Sequence, residues 1–240
     1  MNKLSRISEL RKKLQNGEVS LGTWQQIPHP AISEIIASQG YEWVVIDLEH
    51  GSIDVSQLPY LFCAIESKNA LPFVRVRESN YINAHSALEA GATGLIFPMI
   101  ENSEQLSKLI KKSKLPPSGS RGVGFSRSSL YGKNFEENLN FAQTPFIVAM
   151  IESQEGLKNI DSILETKNLD AILIGPYDLS ASLGKTGDFE ADEFLSAIKK
   201  IEKACKEKSI PKGIHVVKPS KLDVEKYIEK EYQFIVYSTD

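Results

Sequence analysis

The sequence predicts an α/β protein of the (β/α)8 TIM-barrel class. Three observations carry that reading. Short apolar runs recur along the chain, nearly all rich in β-branched residues, as expected of strands buried on both faces. Segments of helical spacing lie between them, so each strand is followed by a helix able to bury one face on the sheet. Eight such runs fit within 240 residues, the number at which a parallel sheet closes on itself. An open doubly wound sheet is the structural alternative, but it more usually has about five to seven strands.

Met1 to Gly17 carries Lys3, Arg6, Glu9, Arg11, Lys12 and Lys13, with Ile7, Leu10 and Leu14 on one helical face. An amphipathic helix packed on the domain is expected there. The stretch has no apolar h-region and is not a secretory signal. Leu21–Trp24 is the first expected strand, Trp43–Asp47 the second, Phe73–Val76 the third and Gly94–Met99 the fourth. Phe146–Ile151, Ala171–Gly175, Lys212–Val217 and Gln233–Tyr237 follow. Helices are expected over Ala31–Gln39, stopped by Gly40, and over Asn80–Ala90, stopped by Gly91. Further helices are expected over Ser103–Lys112, Glu155–Glu165, Glu190–Lys208 and Ser220–Glu229.

The irregular stretch 115–144 follows strand four and is expected on the face where barrel chemistry occurs. Its Arg121, Arg127 and Lys133 would meet an acidic substrate there, or simply face solvent. The eighth strand ends near Tyr237 and the sequence stops at Asp240, so no eighth outer helix is expected. A longer chain, a neighbouring subunit or the N-terminal helix would have to cover that face.

Composition narrows the function. Hydrophobic residues are 41% and charged residues 25%, ordinary for a globular chain. Roughly 70–75% of the unfolded surface can be buried at this length, so folding needs no disulfide or metal. Lys plus Arg is 28 and Asp plus Glu 31, a net charge of −3. That balance gives no general attraction for nucleic acid or anionic membrane, and no run is long enough to span a bilayer. Cys63 and Cys205 stand far apart in no metal or redox spacing, as in a reduced, cytoplasmic protein.

In a barrel the chemistry sits at the C-terminal ends of the strands. Strand two ends Asp47-Leu48-Glu49-His50-Gly51, strand three carries Arg75, strand five ends at Glu152, and strand six runs into Gly175-Pro176-Tyr177-Asp178. Glu152 and Asp178 come from adjacent strands. Two hard carboxylates with room for water suit Mg²⁺, with Mn²⁺ or Co²⁺ as substitutes; the competing reading is that each acid caps the next helix. A buried Arg75 needs an anion, either a neighbouring carboxylate or a bound oxyanion. His50 is placed to act as a general base near neutrality, and His215 also reaches the rim. His29 and His85 fall in a loop and a helix and read as structural. The backbone N–H groups of the Gly175-Pro176-Tyr177-Asp178 turn would receive a carboxylate, so the rim as a whole would grip a small 2-oxo acid.

These residues resemble a known family. L-G-T-W at 21–24, V-V-I-D-L-E-H-G at 44–51, V-R-V at 74–76 and A-L-E-A-G-A at 87–92 are similar to its motifs. So are P-M-I-E-N at 98–102, S-R-G-V-G at 120–124, I-E-S-Q-E-G at 151–156 and G-P-Y-D-L-S-A-S-L-G at 175–184. Together they resemble the HpcH/HpaI aldolases, metal-dependent class II pyruvate aldolases of 2-keto-3-deoxy sugar acids and hydroxy-oxo diacids. The resemblance implies a (β/α)8 barrel, a hexamer, and a divalent metal on Glu152 and Asp178. It implies Arg75 beside the enolate oxygen, His50 as base, and Glu89 as the acid partner of a histidine, reaching it across a subunit boundary. Trp24, Gly175, Pro176, Tyr177 and His215 would border the substrate. Met150 stands where members often carry Gln, which implies a change in how metal-bound water or substrate is ordered; His215 stands where they usually carry a small or apolar residue, which implies a different aldehyde preference. Members also continue past strand eight with a helix exchanged between subunits.

The expected reaction is reversible aldol cleavage of a 4-hydroxy-2-oxo acid to pyruvate and an aldehyde. One rival is a Schiff-base aldolase, for which Lys218 is the best-placed amine. Others are a barrel kept only for binding or regulation, and a lyase acting on a coenzyme A thioester.

Overall fold

The structure, a computed structural model, describes residues 3–240; Met1 and Asn2 of the expected N-terminal helix lie outside them. Eight parallel strands close into a barrel in sequential order. They are β1 (Ser20–Gln25), β2 (Trp43–Asp47), β3 (Leu71–Arg75), β4 (Gly94–Phe97), β5 (Phe146–Ile151), β6 (Ala171–Ile174), β7 (Lys212–Val216) and β8 (Phe234–Thr239). Pairing of β1 with β8 completes the ring. Five of the central strands are buried at every position, which is why they read as unbroken apolar runs.

Helices alternate with the strands: α1 (Lys3–Gln15), α2 (Pro30–Ala37), α3 (Leu58–Ser67), α4 (Tyr81–Ala90), α5 (Ser103–Ser113) and α6 (Phe135–Phe141). Then come α7 (Gln154–Lys158), α8 (Ile160–Leu164), α9 (Pro176–Ser182), α10 (Asp192–Lys208) and α11 (Lys221–Glu229). Side-chain caps start several of them. Asn80, Asn102, Ser153 and Ser220 each accept a backbone N–H from the first turn, satisfying a donor the helix cannot. Gly91 closes α4 at φ 108°, the left-handed conformation its place in the sequence suggests. His29 caps α2 through Nδ1, which accepts from the Ala31 N–H at 3.2 Å, the structural role expected of it.

The barrel interior has a floor and a mouth. At the floor Trp43 and Phe234 stack with centroids 4.1 Å apart, and Phe73 and Phe146 lie 5.3 Å apart beside them. Gly94 gives Phe73 its room, since a Cβ there would stand 2.7 Å from the ring. Ile7, Leu10 and Leu14 of α1 join this cluster from below, and Arg11 fixes the helix by a bidentate pair with Asp170 at 2.7 and 3.0 Å. The N-terminal helix therefore plugs the barrel floor.

Three expectations are corrected. The span 155–165 is not one helix: α7 and α8 meet at Asn159, whose amide donates to the Glu101 carbonyl at 2.8 Å. Helices α3, α6 and α9 were not expected as separate elements. The stretch 115–144 does not reach the rim, because α5 intervenes and returns the chain to the floor side. There Arg127 pairs with Glu66 at 2.8 Å and donates to the Ala90 carbonyl at 3.0 Å, at the C-terminal ends of α3 and α4. Arg121 is buried and turned toward Glu89 at 3.5 Å. Neither arginine is placed to meet a substrate at the barrel mouth.

Candidate active site

The C-terminal strand ends surround a cavity of about 360 Å³. Trp24, His50, Arg75, Met150, Asp178 and His215 line it, with Gly175, Pro176 and Tyr177 along one wall. Residues of β1, β3, β5 and β7 and of the turns after β2 and β6 therefore converge on one space.

Arg75 is the best-defined member. The β2–β3 register sets it beside Asp47. Nε donates to Asp47 Oδ1 at 2.9 Å and Nη2 to Oδ2 at 2.6 Å, and Glu49 Oε2 lies 3.2 Å from Nε. The guanidinium sits over the Trp24 ring, 4.5 Å from its centroid. Burial alone would push the Asp47 carboxyl up, but the Arg75 bonds and charge outweigh it and hold that carboxyl below the usual range. Asp47 also accepts from the Glu49 and His50 backbone N–H groups at 3.1 and 3.3 Å and from Gln26 Nε2 at 2.8 Å. One buried carboxylate thus orients the arginine and shapes the turn that presents His50. Asp47 was not singled out from sequence; the signal was its place opposite Arg75 at the end of the neighbouring strand.

His50 is exposed on the cavity edge, with Glu49 Oε2 4.0 Å from its Nε2. Trp24 is buried, and its Nε1–H has no acceptor. Such orphan donors are rare in folded proteins, and this one belongs to a residue that borders the cavity.

Glu152 follows β5 directly and is buried. Its Oε1 accepts from the Met99 N–H at 2.6 Å, while Oε2 packs against Gly175. A Cβ on Gly175 would collide with Oε2 and stand 3.1 Å from the Glu152 Cβ. Burial raises the Glu152 pKa to about 7, and the negative charges of Glu49 and Asp178 add to burial against the Met99 bond. Burial likewise raises Glu49, reinforced by Asp47 and Asp178. Asp178, on the first turn of α9, is exposed and lines the cavity. Among the described residues no cation pairs with it.

This donor set fits a hard divalent cation. Glu152 and Asp178 are oxygen ligands that repel one another in the absence of a cation, and Glu152 is held where an ordinary side chain on residue 175 would displace it. Among the described residues no cluster of three or more ligand-type side chains forms. A cation here would rest on two carboxylates and complete its shell with water, the habit of Mg²⁺.

Glu89 is not brought to this cavity. On α4 it faces His85 Nε2 at 3.9 Å and Arg121 Nε at 3.5 Å, so within this chain it is not a partner of His50. Lys218 lines an adjoining groove rather than the mouth.

His215, at the end of β7, turns its ring edge to Trp24 with centroids 5.6 Å apart, and its Nε2 lies 3.2 Å from the Ser238 carbonyl. Burial lowers its pKa to about 4, so the ring is neutral at pH 7. The unfolded chain, with an ordinary value near 6.5, binds the proton more readily. Stability is therefore unaffected above pH 6.5 and falls as the pH drops toward 4, by about 3 kcal/mol for this one group. Urea denaturation at pH 7 and pH 4.5 checks it: His215→Gln is expected to lose clearly less stability between the two than the native chain.

Comparison with known proteins agrees with the geometry. A 5-keto-4-deoxy-D-glucarate aldolase of Klebsiella pneumoniae is 29% identical over 234 residues, covering 97% of this chain and 91% of the relative. The crystal structure of an HpcH/HpaI aldolase/citrate lyase family protein from Burkholderia cenocepacia superposes with a TM-score of 0.90 at 29% identity, over 97% of this chain and 93% of that one. An HpcH/HpaI aldolase from Desulfitobacterium hafniense superposes at 0.86 and 27%, over 96% and 90%. The sequence model of HpcH/HpaI aldolases and citrate lyases matches residues 20–240, nearly the whole barrel, and the chain belongs to that family as an aldolase-type lyase.

Proposed function

We propose that the protein catalyses reversible aldol cleavage of a 4-hydroxy-2-oxo acid into pyruvate and an aldehyde, with a divalent cation, Mg²⁺ or else Mn²⁺ or Co²⁺, held by Glu152 and Asp178. The observation that carries the reading is that Arg75, His50 and Asp178 line one cavity, with the buried Glu152 carboxylate packed directly behind Gly175 of its wall. When bound, the cation supplies Lewis-acid polarisation of the 2-oxo group.

The chain's own groups account for the rest. His50 accepts the proton of the 4-hydroxyl. As the C3–C4 bond breaks, its electron pair passes to C3 and the charge spreads onto the 2-oxo oxygen; C3 then takes up a proton, which gives pyruvate beside the released aldehyde. Arg75 faces that charge with a guanidinium already fixed by Asp47, so no reorganisation is needed as the charge forms. The N–H groups at the start of α9 receive the substrate carboxylate. The Trp24 Nε1–H supplies the unused donor that borders the same space.

The protein would work as a homo-oligomer, a hexamer on the family resemblance. In that assembly Glu89, which does not face its own His50, would serve a neighbour's. A cytoplasmic location is part of the same reading; among the described residues no helix is long and apolar enough to cross a membrane.

The test is dialysis against EDTA followed by add-back of Mg²⁺, Mn²⁺ or Co²⁺, with pyruvate release measured on a panel of 4-hydroxy-2-oxo acids. Loss of activity on chelation and its return with metal are expected. Full activity after chelation, with borohydride trapping of pyruvate on Lys218, would replace this reading with the Schiff-base one.

A further inference from the structure

A second cavity adjoins the mouth. It is a groove of about 410 Å³ between α10 and the β7–α11 segment. Pro176, Tyr177, His215 and Val217 line both spaces, so the two adjoin along these residues. The groove is open because α11 buries none of its residues and leaves the α10 face beside it uncovered.

Its chemistry differs from that of the mouth. Tyr177, next to Asp178, meets Phe189 edge-on with centroids 5.1 Å apart, and Phe189 meets Phe194 at 5.3 Å. This ladder of rings runs from the catalytic rim onto the α10 face, where Leu195 and Ile198 continue the wall. Charge does not single out an anionic ligand: Lys218 and Lys230 share the lining with Glu190, Glu202 and Asp223. Glu202 is engaged by the Tyr232 hydroxyl at 3.0 Å, and Asp223 by Lys226 at 3.3 Å. The groove therefore has an apolar wall of rings and aliphatic side chains and no net cationic pull. His215, on the shared wall, is neutral at pH 7.

We infer that this groove holds the aldehyde half of the substrate, and that the aldehydes preferred carry an uncharged apolar chain or ring. The inference rests on the aldolase reading above and names its substrate class. In the synthetic direction pyruvate gives up a C3 proton, the C3 electron pair forms the bond to the aldehyde carbon, and the aldehyde oxygen takes up a proton. The product is a 4-hydroxy-2-oxo acid with nothing else consumed. With the pyruvate half anchored at Arg75 and the α9 N-terminus, the substituent on C4 would extend past Tyr177 along the ring ladder.

The experiment measures aldol addition of pyruvate to propanal, hexanal and 5-oxopentanoate, the last a charged chain of similar length to hexanal. Hexanal is expected to exceed both others by about tenfold in kcat/KM, the discrimination an apolar pocket of this kind provides. Leu195→Glu alters a position already 37% exposed, so it tests the groove without threatening the fold. It is expected to cut the hexanal-to-propanal ratio at least fivefold, and Ile198→Trp, which fills the groove, to do the same. Equal rates for hexanal and propanal, or a ratio that Leu195→Glu leaves alone, overturn the inference while the aldolase reading stands. If Leu195→Glu instead changes only the oligomeric state in sedimentation, the groove is a contact between copies and the inference fails. No addition to any aldehyde overturns both.

Discussion

Arg75→Ala is expected to lose stability and turnover together, by separable amounts. Removing the guanidinium leaves Asp47 fully buried with its main counter-charge gone. Breaking a buried pair from one side costs about 3–5 kcal/mol. The Gln26 amide and two backbone N–H groups still reach Asp47, which places the loss at the lower end. Turnover should fall about 10²–10³-fold, the usual effect of deleting one fixed donor facing a developing oxyanion. Arg75→Lys separates the two. It keeps the charge beside Asp47 but lacks the planar fork that binds both carboxylate oxygens. Most of the stability should remain in urea denaturation while pyruvate release stays far below the native rate. Native turnover in the lysine variant would remove Arg75 from the chemistry and leave it a structural residue.

Gly175→Ala is expected to disable the site while leaving the barrel folded. The backbone there has φ −92°, which alanine adopts freely, so nothing in the turn resists the change. The added methyl instead meets the Glu152 carboxylate. Overpacking a tight site costs about 1–3 kcal/mol, and the cheapest relief is for Glu152 to rotate away. The expected result is at least a tenfold loss of Mn²⁺ affinity by calorimetric titration and a loss of pyruvate release of about 10²-fold, with the barrel still folded. Undiminished Mn²⁺ binding would mean that Glu152 does not hold the cation where it now lies.

Much of this was legible in the sequence, for a physical reason. Barrel strands buried on both faces must be continuously apolar, so Val44-Val45-Ile46 and Ile172-Leu173-Ile174 announce themselves. An ionisable residue that ends such a run has to leave at the rim. Arg75 and Glu152 were read by that logic, and Asp178 from the turn that follows strand six. What was not legible depends on register and direction. That Asp47 grips Arg75 follows from which residue stands opposite which across β2 and β3. That the 115–144 stretch turns to the floor follows from α5 lying between it and β4. Helix α3 was hidden because Leu58-Pro59-Tyr60-Leu61-Phe62 is an apolar run like a strand, although the Asp54–Gln57 capping box ahead of it marks a helix start. The partition between mouth and groove involves Tyr177 and His215 from different strand ends, and no local pattern joins them.

The aromatic floor has a further consequence. Trp43 and Asp47 open and close the same short strand, about 13 Å apart along it, and Phe73 and Arg75 share another. These two strands thus carry an anchoring ring toward the floor and an ionisable residue at the rim. Rings stacked at one end hold the ring of strands closed without reference to what stands at the other. Drift among the residues of the open end is then decoupled from the problem of folding. That is how chains only 29% alike keep superposable barrels, and why such a scaffold can be retuned to a new acceptor without first being rebuilt.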